Sequence, residues 1–267
     1  MISDRSLLET RAGSALCVPA GMSAVQPARN DLLDALRGAS MLWMTAFHFC
    51  FDLHQFGYLA ADFYRDPRWT VQRGIIVSLF LFCAGLGQAL ALHQGQGWPR
   101  FWRRWRQILL AALLVTAGSW FMFPASFIYF GILHGMAVML VLARLLAPLG
   151  GWLYPAGLVI VAMPTLAGFA HSLCPWLECL NGPGLNWLGW ISRKPVTEDY
   201  APLAPWLGVM LWGLATGQCW LRQPPGWLRV ALPVPLRPLA ALGRHSLSWY
   251  LLHQPLLIGI LMLLQRF

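Results

Sequence analysis

The chain has 267 residues, of which 58% are hydrophobic and 11% charged, and its mean hydropathy is +0.56. Soluble domains are roughly 25% charged, so this composition predicts an all-α, polytopic membrane protein. A transmembrane β-barrel would show alternating strands of about ten residues, which the sequence lacks. The net charge of +9 sits in short loops between apolar runs. The positive-inside rule accounts for it, and we expect no nucleic-acid partner.

Seven apolar runs reach the length of about 20 residues that a bilayer-spanning helix needs. They lie at 38–58, 74–93, 106–123, 127–147, 152–171, 203–221 and 240–264. Prolines and glycines break the apolar stretch 174–191, which predicts an interfacial or re-entrant loop. For residues 1–28 we expect a disordered tail, or an overextended start with Met22 as the true first residue. A single membrane domain would then cover 29–267.

The charges orient these predicted helices. With a cytoplasmic N-terminus, the inner segments hold 13 of the 19 basic residues and four of the 10 acidic ones. The outer segments hold the remaining six basic and six acidic residues, so the net charges are +9 inside and 0 outside. This bias predicts a cytoplasmic N-terminus and, after seven spans, a C-terminus outside.

Several ionisable side chains lie inside or beside the apolar runs. Such groups are costly at membrane depth, so each is a functional candidate. The predicted topology puts nearly all of them toward the outer face, which indicates a polar site that opens to that side. They are Arg37, His48, Asp52, Arg73, His134, Asp199 and His253.

His48 and Asp52 are four residues apart and therefore share one face of the first helix. A histidine oriented by a carboxylate can act as a general base toward a hydroxyl or an amine. An arginine nearby, such as Arg73, could hold a phosphate or an oxyanion. The structural alternatives stay open: His48 as a packed helix histidine, and His253 as a residue that satisfies the kink at Pro255.

Five blocks of sequence resemble one known family. They are "DLLDALRGASMLWMTAFHFCFDLHQFG" at 31–57, "SLFLFCAGLGQAL" at 78–90, "FIYFGILHGMAV" at 127–138, "TEDYAPLAPWLGVMLWGLATG" at 197–217 and "LGRHSLSWYLLHQPLL" at 242–257. They are similar to the bacterial branch of the heparan-alpha-glucosaminide N-acetyltransferase catalytic-domain family. The Asp-x-x-Arg-Gly opening and the intramembrane histidine that follows it also resemble acyltransferase family 3, within the wider transmembrane acyltransferase superfamily.

The resemblance implies a multi-pass acyltransferase of the bacterial inner membrane. It would take an acyl group from cytoplasmic acetyl-CoA or another acyl-CoA and pass it to an amino sugar or glycan on the periplasmic side, without a metal. His48 would be the general base or the acyl carrier. The expected catalytic residues are His48, Asp52, His134 and His253; the expected substrate-binding residues are Arg73, Asp199, Tyr200 and Gln254; and the expected acyl-CoA-binding residues are Arg37, Arg103, Arg104 and Arg244.

One stretch departs from the family's pattern. The lysosomal members resemble one another around a histidine in the loop after the first helix, just before a tryptophan. Here residues 64–74 read "YRDPRWTVQRG" and contain no histidine. Either His48 takes that role, or this branch carries out different chemistry.

Two other classes of protein remain open from the sequence. One is a transporter or flippase for an amphiphilic anion or an envelope precursor, although we find no internal repeat of the kind many transporters show. The other is a haem b protein with His48, His134 or His253 as axial ligands. A disulfide between Cys174 and Cys179 is feasible if the loop is periplasmic. The sequence also leaves a homodimer open.

Overall fold

The structure is a computed structural model that describes residues 31–226 and 231–265. The predicted tail at 1–28 lies outside these residues. Within the two ranges the chain is helical and forms no strand, which confirms the all-α class. The helices are α1 (Asp31–Gln55), α2 (Pro67–His93), α3 (Trp98–Met122), α4 (Ile132–Leu146), α5 (Leu153–Leu173), α6 (Leu203–Arg222), α7 (Arg237–Arg244) and α8 (Ser246–Leu264).

Four helical stretches of the described chain are long and apolar enough to cross a membrane. They are Pro67–His93, Trp98–Met122, Ile132–Leu173 and Ser246–Leu264. α1 has 25 residues and α6 has 20, but neither is among the four. The chain is thus a multi-pass membrane protein, and the count of seven spans stays a prediction.

Contacts between neighbouring helices define their relative directions. From α1 to α6 the helix direction alternates, so that each helix is antiparallel to the one before it in the chain. α3 and α4 are antiparallel, because Trp105 donates to the Ala137 carbonyl and Thr116 to the Ile128 carbonyl. The remaining contacts are Arg37–Gly87 and Trp43–Gln72 for α1 and α2, Phe82–Gly213 and Ala89–Gly217 for α2 and α6, Gly135–Ala201 and Ala147–Gln218 for α4 and α6, and Gly157–Gly208 and Tyr154–Thr216 for α5 and α6.

The segment predicted as one helix over 127–147 begins later than expected. Residues 123–131 are not helical, and α4 starts at Ile132, whose backbone N–H donates to the Asp199 carboxylate. At its other end the chain reverses through a 3-10 turn at Ala147–Trp152, where Gly150 has a φ of 55°. That backbone conformation favours glycine, and it lets α5 return antiparallel to α4.

The prediction of one helix over 240–264 is wrong, because the chain bends at His245 between α7 and α8. α7 packs antiparallel against the start of α1. A Cβ on Gly243 would lie 1.8 Å from the Asp34 carbonyl oxygen, and one on Gly38 would lie 1.8 Å from that of Leu239. The two backbones are therefore in contact, and this close packing holds α7 against the first turns of α1.

The loop between α5 and α6 agrees with the prediction of a non-spanning segment. It contains two short 3-10 turns, Pro175–Asn181 and Asn186–Leu188. Cys174 and Cys179 are both free thiols in the structure. The feasible disulfide is therefore not formed there.

Candidate active site

α1 and α8 run parallel and are joined by a row of polar contacts, which we call the α1–α8 seam. The contacts occur in the same order along both helices, and the last lies just past their C-terminal ends. They are Trp249 Nε1 to Thr45 Oγ1 at 2.8 Å, His48 Nδ1 to His253 Nε2 at 2.8 Å, Gln254 Nε2 to Asp52 Oδ1 at 2.8 Å and Gln265 Nε2 to the Phe56 carbonyl at 3.4 Å. Polar pairs between helices satisfy groups that the bilayer cannot.

The hydrogen bonds of the two seam histidines define their tautomers. Nδ1 of His253 lies 2.8 Å from the Tyr250 carbonyl oxygen and 3.2 Å from that of Trp249. Carbonyl oxygens only accept, so this nitrogen carries the proton and the neutral ring has a lone pair on Nε2. His48 Nδ1 must then be the donor to that lone pair. The remaining nitrogen, His48 Nε2, is left unprotonated and can act as a base.

This geometry corrects the expected pairing of His48 with Asp52. The two residues do lie one turn apart on α1, but each takes its hydrogen-bond partner from α8. Asp52 is buried, with 3% of its surface exposed, and its carboxyl meets the amide of Gln254. The partner that orients His48 is therefore another imidazole, His253.

His134 forms hydrogen bonds elsewhere in the bundle. Thr116 donates its hydroxyl to the Ile128 carbonyl at 2.8 Å, so its oxygen accepts from His134 Nε2 at 3.0 Å. His134 Nδ1 accepts from the Gly131 backbone N–H at 3.3 Å. Both ring nitrogens are thus used to hold the start of α4, and the structure does not bring His134 into contact with His48 or His253.

Asp199 and Tyr200 tie the loop before α6 to the rest of the site. Asp199 Oδ2 accepts from the Ile132 N–H at 2.8 Å, and a carboxylate at a helix N-terminus also meets the positive end of the helix dipole. The Tyr200 hydroxyl donates to the carbonyl of the buried Asn186 at 2.6 Å. These contacts make both residues supports of the loop.

A charged cluster surrounds Asp199 near the same loop. Burial raises the pKa of Asp199, while the Ile132 N–H and the nearby cations Lys194 and Arg73 act in the opposite direction. Lys194 also lies over the ring of Tyr64, 5.5 Å from its centroid, and both line a surface cavity of about 240 Å³. Sequence reasoning singled out Arg73 and Asp199 but missed Lys194, although it is the chain's one lysine.

The arginines expected to bind acyl-CoA separate into two groups. Arg37 forms an ion pair with Asp34 at 3.1 Å, and Arg244 forms one with Asp31 at 3.5 Å. Both guanidinium groups are thus engaged at the base of α1. Arg103 instead lies on the first turns of α3, as does Arg104, and lines an open cavity of about 380 Å³ together with Gly95, Gly97, Pro99 and Arg100.

A buried arginine supports the loop beside this cavity. Arg144, at the end of α4, donates from Nη2 to the Gln96 carbonyl, and its guanidinium lies 4.8 Å from the Trp98 ring centroid and 4.9 Å from that of Phe101. Stacking of this kind fixes the plane of the guanidinium. The contact holds the α2–α3 loop in place next to Arg100 and Arg103.

The histidine geometry favours a hydrogen-bonded pair over a haem site. Iron held between two imidazoles would need the two nitrogens about 4 Å apart, twice a metal–nitrogen bond of roughly 2 Å. Here they are 2.8 Å apart, and both nitrogens of His134 are already engaged. Within the described chain, no group of three or more His, Cys, Asp or Glu side chains could hold a metal.

Taken together, the apolar helices, the histidine pair between α1 and α8 and the basic cavity at one end define a multi-pass membrane protein with polar sites in its helix bundle. The model of the family described as "Heparan-alpha-glucosaminide N-acetyltransferase, catalytic" matches residues 29–255. The chain therefore belongs to this family. Comparisons with curated proteins and with solved structures gave no significant match.

Proposed function

We propose that this protein moves an acetyl or other acyl group from cytoplasmic acyl-CoA to an amine or hydroxyl of a sugar on the periplasmic side of a bacterial inner membrane. Membership of an N-acetyltransferase catalytic family supports acyl transfer as the reaction. The observation that carries the proposal is the His48–His253 hydrogen bond, since it leaves His48 Nε2 free to accept a proton.

In the proposed step, the acceptor nitrogen or oxygen attacks the thioester carbonyl carbon while His48 Nε2 takes its proton. The new bond to carbon forms, the carbon–sulfur bond breaks, and His48 returns the proton to the thiolate of CoA. The positive charge that His48 carries in between is stabilised by its Nδ1–H bond to His253. That second ring is held in turn by the Tyr250 carbonyl.

The distance between the arginine-rich end of the bundle and the histidine pair suits a long donor molecule such as acyl-CoA. Arg37 and His48 are 11 positions apart on α1, a rise of about 16 Å. We propose that the phosphates of acyl-CoA bind near Arg100 and Arg103, where a cavity and two cations coincide. The pantetheine arm would then extend between the helices toward His48.

At the other end, the cluster of Arg73, Lys194 and Asp199 supports an acceptor site. The cavity lined by Tyr64 and Lys194 is open, and Ser126, Thr197 and Glu198 in its lining add polar groups that could bind sugar hydroxyls. Asp199 and Tyr200 are proposed to shape this site from behind, because their own polar atoms already bind the protein.

The proposal is tested with purified protein in detergent, acyl-CoA and a panel of amino sugars. We expect release of free CoA thiol and an acylated sugar from wild type but not from His48→Ala. His93→Ala, which changes an exposed histidine at the end of α2, is the matched control and should retain turnover. No turnover across the panel would contradict the acyltransferase, and equal turnover in His48→Ala would move the base to another histidine.

A further inference from the structure

Asp52 and Gln254 form a hydrogen-bonded polar pair of the seam, and each leaves one oxygen without a partner. Gln254 Nε2 donates to Asp52 Oδ1 at 2.8 Å. Asp52 Oδ2 and Gln254 Oε1 are both buried, and neither has a hydrogen-bond partner among the described residues. Buried polar atoms are nearly always paired, so two orphaned acceptors on one contacting pair need a common cause.

An ionised Asp52 would make this arrangement costly. A carboxylate only accepts hydrogen bonds, and an unpaired carboxylate in an apolar interior is strongly disfavoured. None of the ion pairs within the described ranges includes Asp52.

The basic side chains within two turns of Asp52 on α1, and of Gln254 on α8, are histidines that already have partners. His48 and His253 bind one another, and His54 faces the Leu59 carbonyl. The side chain of Asp52 contacts the Gln254 amide, and no cation forms an ion pair with it among the described residues.

A single proton accounts for both oxygens. If Oδ2 is protonated, Asp52 becomes a carboxylic acid that presents one donor and one acceptor, and the Gln254 amide presents the complementary acceptor and donor. Oδ2–H would bind Gln254 Oε1, while Gln254 Nε2–H binds Asp52 Oδ1. The two hydrogen bonds close a ring between α1 and α8.

We propose that Asp52 is a neutral carboxylic acid paired through two hydrogen bonds with Gln254, and that this pair positions the His48–His253 pair. Asp52 is four residues after His48, and Gln254 is adjacent to His253. The ring thus fixes the rotation and register of α1 and α8 one turn from His48, the proposed general base. Asp52 is a positioning residue in this arrangement and takes no proton from the acceptor substrate. Its effect on turnover rests on the proposed function, whereas its protonation state does not.

Infrared spectroscopy tests the protonation state without any substrate. At neutral pH the spectrum of wild type minus that of Asp52→Asn should contain the carbonyl band of a protonated carboxylic acid. Asp62→Asn is the matched control, since Asp62 is an exposed loop carboxylate that should not contribute to this band. Absence of this band from the difference spectrum would overturn the proposal, whether or not the protein is an acyltransferase.

Substitutions test the positioning role. Asn at position 52 can form the same ring with Gln254. Asp52→Asn should therefore keep turnover within about twofold of wild type and shift the melting temperature only slightly. Asp52→Leu leaves the Gln254 amide unpaired and should lower both, whereas Asp52→Leu with Gln254→Met removes both polar partners and should restore the stability. Turnover in Asp52→Asn as low as in His48→Ala, in a folded protein, would show that the carboxyl group itself reacts.

Discussion

Nδ1 of His48 lies 2.8 Å from Nε2 of His253, although 205 residues separate them in the chain. The contact makes His253 the acceptor that fixes the tautomer of His48. The two histidines therefore have different roles. His253 orients His48, and only His48 keeps a free lone pair that can accept a proton.

The first prediction concerns His253. His253→Ala removes the acceptor for His48 Nδ1–H, so His48 can rotate or change tautomer, and turnover should fall about 100-fold or more, within the range of general-base effects. His253→Gln keeps an oxygen acceptor and should lose less, about 10-fold. Steady-state kinetics on both variants measure this. Equal losses in the two variants would contradict an orienting role.

The second prediction separates His134 from the pair. His134→Ala removes the bonds to Thr116 and Gly131 and should lower the free energy of unfolding by about 1–2 kcal/mol, as loss of a helix cap does. Turnover per folded molecule should change little. Thermal unfolding in detergent and active-site-normalised kinetics check both parts. A stable His134→Ala protein without turnover would instead make His134 catalytic.

The third prediction concerns the contact between α1 and α7. Gly243→Ala would place a methyl group 1.8 Å from the Asp34 carbonyl oxygen and should destabilise the fold by about 1–3 kcal/mol. Gly118→Ala is the matched control, because its Cβ would meet nothing within 4 Å and alanine favours a helix. The comparison requires only melting curves. Equal stability of the two variants would show that α7 does not pack tightly on α1.

The fourth prediction concerns the basic cavity. Reversal of charge in Arg103→Glu should raise KM for acyl-CoA by about 10-fold or more, since charge-assisted hydrogen bonds are worth roughly 1.5–3 kcal/mol, and kcat should be nearly unchanged. The effect should shrink as salt is added. Arg193→Glu, on the exposed loop before α6, is the control and should leave KM for acyl-CoA unchanged. A lower kcat with an unaltered KM would argue against donor binding here.

The fifth prediction is a pH dependence at Asp199. Burial raises its pKa in the folded state, so the folded protein holds this proton more tightly than the unfolded chain. Its contribution to stability is therefore favourable at acidic pH and is lost as the pH rises from its ordinary value of 3.8 through the raised one. Asp199→Asn, which can still accept from Ile132, should flatten this decline. Melting temperatures from acidic to neutral pH measure it, and a steeper decline in the variant would contradict the sign.

Sequence patterns predicted the helical class and most helix positions, because apolar length alone determines where a chain can cross a bilayer. They placed His48 and Asp52 on one face of α1 correctly. They could not identify the partners of these residues, since those depend on how α8 is rotated about its own axis, which the packing of the whole bundle sets.

Helix ends show the same limit. α4 starts at Ile132 because Asp199, 67 residues later, accepts its N–H. The sequence of 127–147 alone contains no signal of that contact. The break at His245 likewise follows from the packing of Gly243 on Asp34, and local sequence alone reads as one apolar helix there.

The parallel α1–α8 seam has a consequence for biosynthesis. α1 leaves the ribosome first of these helices and α8 last, so His48 has no His253 and Asp52 has no Gln254 until translation is nearly finished. A nascent or prematurely terminated chain that ends before α8 therefore lacks an oriented base. Under the proposed function, such a fragment would lack the oriented base that acyl transfer needs, and catalytic competence would arise only when α8 joins α1.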